Sequence, residues 1–180
     1  MLRHTCEVAT IGMATAAGAG ADAELVLAGA LLHDIGKLEA YRWAGGFTTT
    51  EAGSLLGHVA LGMMMLARRV AAEERAPCTE RELLLLQHLI ASHHGRLELG
   101  AAVPPMTLEA EILHFADDAS AKSASMAAAL LDTDHFAGDA LVSARGVWQL
   151  DRRKVYRGVG DWGRSELSMD HKEERPPSRG

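Results

Sequence analysis

Ala30-Leu31-Leu32-His33-Asp34-Ile35-Gly36-Lys37 closes an apolar stretch that opens at Ala23 and reads as a helix. A histidine and an aspartate at the inner end of such a stretch are costly to bury unless something pairs with them. Adjacent to each other, and followed by Gly36 and Lys37, they read as two metal ligands presented together. Working outward, ligand-type side chains recur at intervals: His4 upstream, then His58, His93-His94 and Asp117 downstream. Helices bring residues distant in sequence to one point of a bundle core. The series therefore predicts a metal centre assembled from several helices.

The flanking segments supply those helices. A first covers roughly His4 to Ala17 and ends in Gly18-Ala19-Gly20. Asp22 is placed to cap a second, from Ala23 to about Tyr41, followed by a loop at Gly45-Gly46. Thr48-Thr49-Thr50-Glu51 leads to a third, over Ser54 to Glu74, where Leu55, Val59, Met63, Leu66 and Val70 recur at helical spacing. Thr79 with Glu82 forms a capping-box pattern that opens a helix through Ser92. Pro104-Pro105 breaks the chain, and Thr107 caps a helix from Leu108 to about Leu131. A last short helix is expected over Asp139 to Leu150.

Composition agrees with an all-α helical bundle. Ala and Leu dominate the 180 residues and aromatics make up 4%, usage that favours helix over sheet. We expect one domain over 1–156 and a flexible tail over 157–180, where Arg, Gly, Ser and Pro accumulate. The formal charge of −6 gives no broad basic footprint for nucleic acid. A metal site would still neutralise phosphates locally, so a nucleic-acid substrate stays open. Cys6 and Cys78 form no metal-binding pair and read as free thiols of a reducing cytoplasm. No secretory signal is legible, and no apolar run approaches the ~20 residues of a membrane span. The expected location is cytoplasmic, with no obligate protein partner.

Imidazole and carboxylate together suit Mn, Fe, Zn, Ni or Co better than Ca. Asp34 is the natural bridge, because one carboxylate offers oxygens to two ions. His4, His33 and Asp117 would complete one site with Asp34, and His58 with His93 or His94 a second. Two ions ~3.5–4 Å apart activate a water and clamp a phosphoryl oxygen; a single ion is the simpler alternative. Lys37, one helical turn beyond Asp34, is placed to hold a substrate phosphate, and Arg96 is a further candidate for that task. Each ligand alone has an ordinary structural role; the ordered set does not. His88, His114, His135 and His171 are assigned structural roles.

These residues resemble the HD-domain metal-dependent phosphohydrolase superfamily, whose metal series His4, His33-Asp34 and Asp117 match, with His58 and His93-His94 matching the extra ligands of dinuclear members. Leu55-Leu56-Gly57-His58, Ala91-Ser92-His93-His94-Gly95, His114-Phe115-Ala116-Asp117 and Trp148-Gln149-Leu150-Asp151-Arg152-Arg153 are similar to the HD domain of bacterial 3′–5′ exoribonucleases that pair it with an OB-fold. Two departures stand out. That family usually carries the OB-fold ahead of the HD domain, whereas this chain begins just before the first ligand, by truncation or because the HD domain works alone. Ser120 also stands where the family tends to have a second aspartate, which bears on the groups behind the ligands. The resemblance implies a metal-dependent phosphodiesterase, exoribonuclease-like on single-stranded RNA or short oligonucleotides. The alternatives are a nucleotide phosphohydrolase or cyclic-nucleotide phosphodiesterase, or a catalytically idle regulatory HD module.

Overall fold

The computed structural model describes residues 2–158. They form an all-α architecture with one small hairpin: α1 Leu2–Ala19, α2 Ala23–Leu32, α3 Lys37–Ala40, β1 Tyr41–Trp43, β2 Phe47–Thr49, α4 Glu51–Ala71, α5 Glu80–Ser92 and α6 Leu108–Leu131. Contacts divide the chain into two compact units between Ala121 and Lys122, where the sequence suggests one domain to residue 156. Helix α6 runs through that division.

Local chemistry sets the helix starts. The Asp22 carboxylate accepts from the backbone N–H groups of Glu24 and Leu25 at 3.0 and 3.1 Å. Thr50 accepts from Gly53 at 2.9 Å, and Thr107 from Ala110 at 3.1 Å. Thr79 and Glu82 complete a reciprocal capping box. Each cap satisfies a donor the helix cannot, and is worth about 1 kcal/mol.

The expected helix from Ala23 to Tyr41 is not continuous. It ends at Leu32, turns through His33–Gly36, resumes as the single turn α3 and passes directly into β1. Its cause lies outside the segment. A Cβ on Gly36 would overlap the His58 carbonyl oxygen and the Gly62 amide nitrogen of α4. The turn packs its backbone against that helix, and only glycine fits there. Helix α4 starts at Glu51, ahead of the expected Ser54, and is kinked at Gly57, whose φ of 72° is left-handed.

The first unit is centred on Val8 of α1, Ala30 of α2, Leu89 of α5, and Ala110, Leu113 and Ala116 of α6, all essentially fully buried. Ala16, Val26 and Ile112 extend this core toward the far end of α1. Burying a leucine such as Leu89 or Leu113 contributes about 1.5–3 kcal/mol, so this four-helix contact fixes how the ligand-bearing ends of the helices meet.

The second unit packs Phe136, Val147, Leu150 and Val155 with Ala129. The helix expected over Asp139 to Leu150 is not formed. One 3-10 turn, Trp148–Leu150, and the bridges Val142↔Tyr156 and Val147↔Arg153 take its place. Ser143 explains much of this: its hydroxyl donates to the Arg145 carbonyl at 2.8 Å and accepts from the Val155 N–H at 3.0 Å, ties that hold the segment extended. Arg157, placed in the tail from sequence, donates to the Leu141 and Gly138 carbonyls. The rest of the tail expected over 157–180, His171 included, lies outside the described residues.

Candidate metal centre

Helices α1, α2, α4, α5 and α6 deliver polar side chains to one place. His4 comes from the first turn of α1, and His33 is the C-cap of α2 with Asp34 in the turn beyond. His58 follows the Gly57 kink, His93 caps the end of α5 with His94 next to it, and Asp117 faces them from α6.

Asp34 stands between two groups of imidazoles. Its Oδ2 lies 3.4 Å from His33 Nε2 and 3.9 Å from His4 Nε2. Its Oδ1 lies 3.5 Å from His58 Nε2 and 3.8 Å from His93 Nε2. Asp117 spans the opposite side, with Oδ1 3.0 Å from His4 Nε2 and 3.8 Å from His33 Nε2, and Oδ2 3.8 Å from His94 Nδ1. Two sets, His4–His33–Asp34 and His58–His93–His94, each present ligand atoms within 4.8 Å of one another.

The orientation of the rings is set from behind. His33 Nδ1 lies 2.8 Å from the Ala30 carbonyl and His93 Nδ1 2.7 Å from the Ile90 carbonyl. A carbonyl only accepts, so each Nδ1 carries the proton and each Nε2 turns a lone pair inward. His33 Nε2, His93 Nε2 and Asp34 Oδ1 are buried with no hydrogen-bond partner. Three such atoms converging on one point are expensive in a protein interior and are what a cation would satisfy. His4 is aimed by side chains instead: its Nδ1 lies 2.9 Å from Ser120 Oγ, which donates to Glu7 Oε2 at 2.8 Å. With the Ser120 proton committed to Glu7, Ser120 accepts from His4 and leaves its Nε2 free to face Asp117.

The electrostatics favour a bound cation. Burial pushes the Asp34 carboxyl up, but hydrogen bonds and positive charge from His33 and Lys37 outweigh it and hold the group ionised, well below the usual range. Burial and the neighbouring His94 and His33 push His93 down to about 3, so its imidazole is neutral. His58 and His94 are also lowered, chiefly by burial. His33 moves the other way: burial opposes its protonation, but Asp34 and Asp117 prevail. The same carboxylate field attracts a cation.

A cavity of 530 Å³ opens onto this cluster, lined among others by His4, Asp34, Lys37, His94 and Asp117. Lys37 Nζ binds Asp34 Oδ2 at 2.6 Å, so the ammonium sits at the cavity wall. Arg96 is exposed and does not line it. His114, assigned a structural role from sequence, shares the cavity wall and holds its Nδ1 3.1 Å from the His93 carbonyl. Sequence alone gives no sign of Glu7 and leaves open what Ser120 does. All three stand three residues from a ligand on the same helix face: Glu7 after His4, His114 before Asp117, Ser120 after it. That spacing was the signal available. His88 accepts from the Met106 N–H at 3.0 Å, and His135 pairs with Asp132 at 3.1 Å in the second unit, both in the structural roles expected.

Helices that place five histidines and two carboxylates around a buried, cation-seeking point define a metal-dependent hydrolase scaffold. The HD domain family profile matches residues 1–122. The chain belongs to the HD domain family, the class of metal-dependent phosphohydrolases its ligand series suggested. Among proteins it resembles, the 3′-5′ exoribonuclease YhaM of Bacillus licheniformis is 46% identical over 109 residues, and that of Bacillus subtilis 45% identical over the same length. Each alignment covers 61% of this chain, which spans about a third (34%) of the length of those relatives. No solved structure matches the chain. Among the described residues, no helix is long and apolar enough to cross a membrane.

Proposed function

We propose that this chain hydrolyses phosphodiester bonds of single-stranded RNA or short oligonucleotides from the 3′ end, in the cytoplasm. The observation that carries the reading is the trio of buried, partnerless ligand atoms on His33, His93 and Asp34. The identity to relatives named 3′-5′ exoribonucleases supports the choice of substrate.

His4, His33, Asp34 and Asp117 would hold one divalent ion and His58, His93 and His94 a second, with Asp34 between them. Bound there, Mn, Fe, Co, Ni or Zn supplies Lewis-acid activation of water and neutralises phosphate charge. The residues do the rest. The carbonyls of Ala30 and Ile90 fix two imidazoles, and the Glu7–Ser120 pair fixes a third, so ligand positions need no reorganisation. Lys37 stands one bond from Asp34 and is placed to steady a nonbridging phosphate oxygen. Arg96, just outside the cavity, would meet the chain further along. Phosphoryl transfer asks mainly for such positioning and charge stabilisation.

The test is a cleavage screen of the full chain loaded with Mn²⁺, alongside Asp34→Ala. Stepwise shortening of 5′-labelled single-stranded RNA, lost in the variant together with its bound metal, is the expected result. RNA and dinucleotides left intact while mononucleotides or cyclic nucleotides turn over would replace this reading with a nucleotide phosphohydrolase. No turnover of any of them by metal-loaded protein would point to the idle module.

A further inference from the structure

Lys37 begins a short run of chain that leads away from the metal centre onto an unusual surface. One helical turn after it, a rise of about 6 Å, the chain enters the hairpin β1–β2. Its register pairs Tyr41 with Thr49, Arg42 with Thr48 and Trp43 with Phe47. Side chains alternate along a strand and match across a pair, so Tyr41, Trp43 and Phe47 share one face. Neither strand buries any residue: Trp43 is 71% and Phe47 76% exposed, and Leu38, just before the hairpin, 65%. Trp43 and Phe47 meet edge to face with centroids 5.1 Å apart, which supports the hairpin but leaves both rings open to solvent. Three of the few aromatic side chains in the sequence are spent on this surface.

The surface is continuous with the metal centre. A second cavity, of 430 Å³, is lined by Lys37, Leu38, Tyr41, Arg42, Trp43 and Phe47. Lys37 is thus shared between the cavity over Asp34 and this one. Exposed aromatic rings with cations at their margins are the chemistry that holds unpaired bases. Rings stack on any base, and Lys or Arg meets the phosphates between them. We infer that the β1–β2 hairpin is a stacking platform for the bases of single-stranded nucleic acid, holding the strand beside the scissile phosphate. Trp43 is its principal ring, Phe47 and Tyr41 flank it, and Arg42 and Lys37 meet the backbone. The inference rests on the proposed function for its substrate class and adds the part of the protein that grips it.

Binding separates the two ideas. Fluorescence anisotropy in Mn²⁺ buffer would use phosphorothioate-linked oligoadenylate, which resists turnover, and an abasic oligomer with the same linkages and label. The full chain is expected to prefer oligoadenylate by about tenfold or more. Trp43→Ala should abolish that preference, and Trp43→Phe, which keeps a ring, should retain most of it. Equal binding of the two oligomers, binding of neither, or a preference that survives Trp43→Ala would overturn the platform. A change in sedimentation on Trp43→Ala with the preference intact would overturn it too, and assign the face to self-association. Base-dependent binding without cleavage of ordinary RNA would keep the platform and remove the nuclease. Cleavage with equal binding would do the reverse.

Discussion

Ser120 has the least conspicuous side chain in the metal cluster and one of the more informative. Ser120 offers His4 a hydroxyl, and a carboxylate stands one bond further back in Glu7. Hydrogen bonding from Arg3 and from Ser120 holds Glu7 below the usual carboxylate range, so the relay ends on a charge. Ser120→Ala should leave folding close to wild type and weaken metal affinity about ten- to a hundredfold. A metal titration followed by competition with a chelator would read this directly; unchanged affinity would mean that His4 is not held through Ser120. The same residue shows what sequence can and cannot convey. The candidate ligands were legible because histidine and aspartate are rare enough in helix interiors to stand out. Ser120, Glu7 and His114 were not, since each is unremarkable until the ring it supports or adjoins is located.

Among the elements, most helix starts were legible and the break after Leu32 was not. Caps depend on neighbours two or three residues away, and Asp22, Thr79 and Thr107 announce themselves; Thr50, one of three successive threonines, does not, and α4 starts three residues ahead of the Ser54 expected. Gly36 answers to α4, twenty-odd residues on, and nothing within its own segment reveals that. The hairpin is hidden for a related reason: the helical pattern extends to Tyr41, and the short alternation of Tyr41-Arg42-Trp43 and Phe47-Thr48-Thr49 around Gly45-Gly46 reads as loop from sequence alone. Two substitutions distinguish these kinds of information. Thr79→Ala should cost about 1 kcal/mol in urea unfolding with metal binding untouched. Gly36→Ala should cost about 1–3 kcal/mol by overpacking and weaken metal binding as well, because the displaced backbone carries His58 and Asp34. Equal effects of the two on metal affinity would show that the turn does not set the site.

For the whole molecule, composition identified the fold class correctly: an Ala- and Leu-rich, aromatic-poor chain became helices. It did not reveal two units, because beyond Leu131 the apolar residues Phe136, Val147, Leu150 and Val155 pack onto the end of α6 without a regular helix of their own, which periodicity cannot detect. The buried partnerless atoms make the folded state less stable than its apolar core alone would give, and a bound ion reverses that. An ion that binds only the native chain at a hundred times its Kd adds about 2.7 kcal/mol. Saturating Mn²⁺ should therefore raise the melting temperature of the wild-type chain and leave Asp34→Ala nearly unmoved. Scanning calorimetry with and without chelator decides it, and a metal-independent transition in the wild type would contradict the assignment of these side chains as ligands.

His33 and His93 are steered by carbonyls of their own helices, and a carbonyl is present whatever side chain occupies position 30 or 90. Heritable drift at those neighbours can alter packing without turning either imbroglio of ligand and backbone out of line; the aim of these two rings is indifferent to spelling. His4 has no such immunity, since its bearing depends on two particular side chains. Over long divergence, variation that retunes this centre should accumulate in the His4 quarter, while the His33 and His93 quarter stays constant in geometry even as the residues around it change.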